Sequence, residues 1–159
     1  MERGRVVELD KGSANRADVV VEIVRLEKKT FPKHESLART LEEELRKKNA
    51  GLLYVEAEGE VVGYAMYSWP SSLSASITKL AVKEDHRRQG YGEALLRAAI
   101  EKCRSRKVER VSLHVDPTRT GAVNLYKKLG FQTDCVVKSY YSHDRDAYRM
   151  YLEFGDAIY

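Results

Sequence analysis

The sequence predicts an α/β fold in which a mixed sheet of six to seven strands is flanked by about four helices. Three observations carry this. Apolar residues alternate between period-2 and helical spacing in the order β-α-α-β-β-β-α-β-α-β-β. The strand-like run Ile77 to Val82 passes through a charged turn into a glycine-containing loop that opens a helix. The strand at Val111 to Val115 follows that helix, so a crossover sets it parallel to the strand ending at Val82.

In chain order, Arg5 to Leu9 forms a first short strand, broken by Lys11-Gly12-Ser13. Val19, Ile23 and Leu26 then fall at helical spacing, with Glu22, Arg25, Lys28 and Lys29 largely on the other side. Pro32 ends this helix, because the residue before a proline is pushed out of helical geometry. Leu37, Leu41 and Leu45 mark a second helix over about 36–48, which Gly51 is expected to stop. Leu52 to Ala57 and Val61 to Trp69 read as a hairpin around Glu58-Gly59-Glu60, and Ala75 to Val82 as the next strand. After the glycine loop, a helix from Glu93 runs to about Arg104–Lys107, with bases at its C-terminal end as the dipole favours. Asp116-Pro117 closes the following strand. Thr120 to Leu129 is a short helix stopped by Gly130. Phe131 to Tyr140 and Ala147 to Phe154 close the chain as a hairpin around residues 142–146.

Composition narrows the class. The 159 residues are 43% hydrophobic and 33% charged, which describes one globular domain over residues 1–159 with a core of its own. No apolar run reaches the roughly 20 residues of a membrane span, and Met1 to Arg5 does not begin a secretory signal, so the expected compartment is cytoplasmic. Cys103 and Cys135 are isolated and read as buried free thiols; no metal site is expected from them. The net charge of +4 is mild and its signs are mixed along the chain, so no nucleic-acid partner is expected.

The chemistry concentrates in Arg87-Arg88-Gln89-Gly90-Tyr91-Gly92. The first amides of a helix lack internal acceptors and sit at the positive end of its dipole. Glycine at positions 90 and 92 lets an anion approach the backbone, and two arginines add charge. The pattern suits a pyrophosphate held by the amides of Gln89 to Glu93. An ordinary turn with a solvated arginine pair would also account for the loop alone. The Gly-Lys-Ser/Thr ending of a Walker loop and the G-x-G-x-x-G of a dinucleotide site are both absent.

Leu80-Ala81-Val82 followed by Arg87 to Gly92 resembles the R/Q-x-x-G-x-G/A acetyl-CoA motif of the GNAT acetyltransferase superfamily. Ala122-Val123-Asn124-Leu125-Tyr126-Lys127-Lys128-Leu129-Gly130-Phe131 resembles its second signature, A-x-x-L-Y-x-K-x-G-F. The resemblance implies the GNAT fold, splayed between the fourth and fifth strands, and direct acetyl transfer from acetyl-CoA to an amine through a tetrahedral intermediate without a metal. It implies cofactor contacts at Leu80, Ala81, Val82, Arg87, Arg88, Gln89, Gly90, Tyr91, Gly92, Glu93, Asn124 and Tyr126. A strand amide among Leu80 to Val82 would polarise the thioester, and Tyr126 would donate a proton to the leaving thiolate. In relatives, Arg119 is often an Asn that contacts the cofactor, Glu35 an aromatic, and Ser76 in one subgroup a tyrosine.

Lys138-Ser139-Tyr140-Tyr141 with Asp146-Ala147-Tyr148-Arg149-Met150 is similar to the K-x-Y-Y…D-A-Y-x-M pattern of protein N-terminal acetyltransferases of the ribosomal-protein-acetylating type. That implies a peptide backbone held at Tyr140 and Tyr141 and a first-residue pocket lined by Phe31 and Pro32. His114 is the candidate base. Alternation places it with Ser112, opposite Val111, Leu113 and Val115, and these enzymes carry a Glu or His at the corresponding position. A packed core histidine is the alternative. His34, His86 and His143 read as surface loop residues.

An α-amine with pKa about 7.7–8.0 is roughly one-tenth neutral at pH 7, whereas a lysine at about 10.4 is neutral to about 4 parts in 10,000. A histidine base suits the first acceptor. This agrees with the protein or peptide N-terminus that the resemblance implies as the acceptor. A lysine, a small-molecule amine or a non-catalytic acyl-CoA-binding role stays open, as does a homodimer or an auxiliary subunit.

Overall fold

A computed structural model describes residues 5–10, 12, 14–31 and 40–155. Its described elements are β1 (Val6–Glu8), α1 (Arg16–Thr30), α2 (Leu41–Arg46), β2 (Ala50–Ala57), β3 (Glu60–Ser68), β4 (Ser74–Val82), α3 (Tyr91–Ser105), β5 (Arg110–Val115), α4 (Thr120–Lys128), β6 (Gln132–Ser142) and β7 (Arg145–Glu153). One seven-stranded sheet runs in the order β1-β2-β3-β4-β5-β7-β6. Neighbours pair antiparallel except β4 and β5, which are parallel, as the intervening α3 requires.

The sheet carries a core on each face. One side buries Leu95, Leu96, Ala99, Ile100 and Cys103 of α3 and Val123 and Tyr126 of α4 against Val55, Val62, Ala75, Ile77, Val111 and Leu113. The other buries Val19, Val20, Ile23 and Leu26 of α1 and Leu41 and Leu45 of α2 against Leu52, Tyr54, Tyr64, Met66 and Ala81. Each fully buried aliphatic contributes about 1.5–3 kcal/mol relative to exposure. The helical spacings read from sequence mark these faces.

Three boundaries and one side chain differ from expectation. Gly51 does not stop a helix: α2 ends at Arg46, and Gly51 lies inside β2 opposite Tyr67. The glycine is there for space, since a Cβ on it would come within 2.5 Å of the Tyr67 ring and hydroxyl. Tyr67 is 1% exposed and donates to Glu8 Oε1 at 3.2 Å, so it has no easy retreat. Gly51→Ala is expected to cost about 1–3 kcal/mol, read as a lower denaturant midpoint at unchanged slope. The glycine-loop helix begins at Tyr91 rather than Glu93, immediately after Gly90 in the left-handed region at φ 89°. The last turn is shorter than residues 142–146, because Ser142 and Arg145 already pair. Cys103 is buried as expected, with its thiol pushed up to about 12 by burial. Cys135 is instead exposed, because β6 is the sheet's outer strand and little covers it. Pro32, His34, Glu35 and Leu37 lie outside the described residues.

Candidate active site

The site begins where the parallel pair fails. β4 and β5 are in register only from Ser74 opposite Arg110 to Ser76 opposite Ser112, and beyond that the strands part. A cleft of about 680 Å³ opens there, walled by Ser76 to Leu80 on one strand and Leu113 to Asp116 on the other.

Separation leaves one edge of β4 without a strand partner. Lys83 N donates to Val62 O at 2.7 Å, toward β3, while the Val82 carbonyl faces away and accepts from Arg87 Nε at 2.9 Å. Backbone direction alternates along a strand, so Leu80 and Val82 both turn their peptide groups to the gap and Ala81 turns its own toward β3. A bulge at Thr78, where Met66 pairs with Lys79 but Tyr67 with Ile77, sets the side chains. Ile77, Leu80 and Val82 join the α3 face, and Lys79 and Ala81 join the α1 side.

At the mouth of the gap, Glu84–His86 forms a single 3-10 turn and leads to Arg87. Arg88 has φ 61° and Gly90 φ 89°, a double left-handed kink that turns the chain into α3. The first helical bond is Ala94 N to Gly90 O at 3.0 Å, and no side chain caps the helix. The amides of Tyr91, Gly92 and Glu93 therefore precede the helical ladder. A Cβ on Gly92 would meet only Leu125 at 3.6 Å and Val82 at 3.8 Å, so the chain's own packing does not demand a glycine there. The Tyr91 ring is buried, leaving its backbone as the part that faces the loop. Glu93 is held by Lys128 at 2.6 Å and Arg97 at 3.1 Å, which keeps its carboxyl below the usual range.

Tyr126 lines the cleft at 7% exposure, packed edge-on to Phe131 with centroids 5.8 Å apart. Burial pushes its hydroxyl up to about 12, with Arg119 pulling the other way. Phe131 is held in place by the left-handed Gly130 (φ 101°), across which its amide bonds back to Tyr126 O at 3.0 Å. Asn124 is exposed and is not among the residues lining the cleft.

His114 is not a core residue. It is exposed on β5 and reaches the cleft, while Val111, Leu113 and Val115 are buried, as alternation requires. Its ring stacks on Tyr140 at 4.2 Å and 7°. Partial desolvation, then the charge of its cross-strand neighbour Arg149, moves its pKa below 6.5.

Tyr140 comes from β6, and an irregularity in that strand delivers it. Register breaks between Val137 and Ser142, and Ser139 takes φ 54°. Asp146 fixes the break by accepting from Ser139 N at 2.8 Å and Lys138 Nζ at 3.3 Å. Those contacts give a physical reason for the Lys and the Asp of the hairpin pattern. Tyr141 packs edge-on to Tyr140 at 4.9 Å, and both line the cleft. Phe31 also lines it, with Lys79 Nζ 3.5 Å and the Arg119 guanidinium 5.0 Å from its ring centre.

Sequence reasoning missed Lys79, Arg119 as a wall residue, Asp116, Arg145 and the buried pair behind them. Glu27 is fully buried, accepts from Tyr64 and stands 3.9 Å from Lys79. Asp116 accepts from Thr118 and binds Arg145 at 2.6 Å. Glu27 had a signal: it lies four residues after Ile23 on the apolar face of α1. Lys79 had none, since the bulge at Thr78 reverses the facing that alternation gives.

Comparisons with known proteins agree with this architecture. Residues 20–131 match the model of the acetyltransferase (GNAT) family. An N-alpha-acetyltransferase of Sulfurisphaera tokodaii is 37% identical over 120 residues, 68% of this chain and 72% of that one. The crystal structure of Ard1 from Thermoplasma volcanium superposes with a TM-score of 0.79 at 27% identity, over 94% of this chain and 97% of that one. That of the ribosomal-protein-S18-alanine N-acetyltransferase from Escherichia coli shares the fold at a TM-score of 0.80 and 22% identity, over 99% of both chains. With its split sheet, glycine loop and cleft tyrosine, the chain belongs to the acetyltransferase (GNAT) family.

Proposed function

We propose that this enzyme transfers the acetyl group of acetyl-CoA directly to the N-terminal amine of a protein or peptide. The observation that carries the acceptor assignment is the stack of His114 on Tyr140 at the cleft, with Tyr126 on the same wall system. A histidine held against a tyrosine pair sets a base beside groups able to catch a peptide backbone.

The residues fit a long thioester cosubstrate. Amides from Gln89 to Glu93, with Arg88 nearby, suit its pyrophosphate, and the peptide groups of Leu80 and Val82 offer donors along the gap. One of these amides would polarise the carbonyl under attack, in the manner of an oxyanion hole. Asn124, exposed and outside the cleft lining, is a weaker candidate for cofactor contact than Tyr126. Arg87 contributes through the loop, since its side chain already holds the Val82 carbonyl.

His114 takes the proton of the attacking amine, and its lowered pKa keeps it neutral and able to do so at physiological pH. Tyr126, at about 12, is a weaker acid than a departing thiol at about 8.5. Its part is to hold its own proton and donate a hydrogen bond to the sulfur, which leaves as the thiolate when the C–S bond breaks, while the proton taken from the amine stays on His114. Phe31 and Tyr141, which both line the cleft, would surround the first acceptor residue.

The test follows free thiol with acetyl-CoA and three acceptor sets: peptides with free N-termini, N-blocked lysine peptides and small amines. Mass spectrometry locates the acetyl group. Acetyl on the α-nitrogen is expected. No release above hydrolysis for any acceptor would remove the enzymatic reading, and transfer to lysine alone would remove the N-terminal one.

A further inference from the structure

We infer that Arg119 reads the first side chain of the acceptor and selects a carboxylate, so that N-termini beginning with Asp or Glu are favoured. This rests on the N-terminal acceptor proposed above.

Three cations line the cleft: Lys79, Arg119 and Arg145. Two have carboxylates of their own. Lys79 Nζ stands 3.9 Å from Glu27 Oε2, and Arg145 Nη2 lies 2.6 Å from Asp116 Oδ2. The cleft's acids are likewise engaged, Asp116 by Arg145 and Thr118, and Glu44 by Lys47 at 3.0 Å through both oxygens. Arg119 alone has no carboxylate within 4.0 Å among the described residues, and its contact is the Phe31 ring. A guanidinium presents a planar fork matched to a carboxylate, and Arg119 is half-buried, where an ion pair is screened less than on an open surface.

Position decides which anion it meets. Arg119 is the residue before α4, while the glycine loop packs against the far part of that helix, Gly92 near Leu125 and Glu93 near Lys128. Six residues of helix separate Arg119 from Leu125, about 9 Å at 1.5 Å per residue. The pyrophosphate loop thus has its own end of α4, and Arg119 has the end beside Phe31. Arg119 shares the cleft wall with Phe31, Lys79, Tyr126 and Tyr141, and its charge is felt at the last three.

The experiment compares two peptides that differ only in a first residue of Asp or Asn, with kcat/KM from thiol release for the native enzyme, Arg119→Gln and Arg119→Lys. The native enzyme is expected to favour Asp about tenfold, the share of one charge-assisted hydrogen bond. Arg119→Gln should bring the ratio near one, and Arg119→Lys should keep part of the preference and report on folding. Equal use of Asp and Asn by the native enzyme would overturn the assignment. So would a ratio unchanged in Arg119→Gln with both peptides slowed alike, which marks a role in folding or in the chemical step. Acetylation of a lysine peptide with neither α-amine modified would overturn the underlying acceptor reading and the assignment with it.

Discussion

Tyr126→Phe is expected to lower kcat by about 10²–10³, the range for loss of one preorganised hydrogen-bond donor to charge that develops in the transition state. The substitution removes one oxygen from a ring otherwise packed against Phe131, so the fold should be almost unaffected. Burial in the cleft makes the hydroxyl a poor acid, at about 12, and a poor acid near a developing thiolate works as a fixed hydrogen-bond donor. It also stays protonated across the working range, so the native enzyme should show no alkaline decline up to about pH 10 from this group. An unchanged kcat in Tyr126→Phe, from single-turnover kinetics at saturating acetyl-CoA, would return Tyr126 to the hydrophobic core.

His114→Ala is expected to cost about 10²–10⁴ in kcat, and its pH profile separates a base from a packing residue. The sign follows from the direction of the shift. A histidine with its pKa below 6.5 loses its proton at lower pH than usual, so its base form persists as pH falls through 6.5. The acceptor α-amine, at about 7.7–8.0, deprotonates later. For the native enzyme, log kcat/KM against pH should level off above about pH 8, fall with slope about one below it, and steepen toward two below the His114 pKa. In His114→Ala the steeper limb should vanish. The same slopes in both proteins would assign proton removal to another group.

Most of the sheet was legible because burial on one or both faces writes itself into apolar spacing. Val111, Leu113 and Val115 against Ser112 and His114 gave the strand, its facing and its outward histidine together. Gly51 misled because a glycine after a leucine helix also serves as a stop, and only the Tyr67 ring across the β2–β3 pair shows its other use. Cys135 misled because its strand lies outermost, and strand order is not encoded locally. The cleft's charges were the hardest to read. Lys79 faces Glu27 and Phe31 only because Thr78 bulges, and Asp116 meets Arg145 across 29 residues. The tyrosine pair was placed by resemblance, and its physical support, Asp146 gripping Ser139 and Lys138, depends on a register break without a sequence period.

The most direct measurement is a cocrystal structure with CoA joined through its sulfur to the α-nitrogen of a short peptide. The expected result places the pyrophosphate on the amides of residues 89–93, the linking sulfur near the Tyr126 hydroxyl, and the peptide nitrogen within hydrogen-bond reach of the His114 ring edge, with the peptide backbone against Tyr140 and Tyr141. A peptide bound away from that pair, with His114 remote from its nitrogen, would contradict the account.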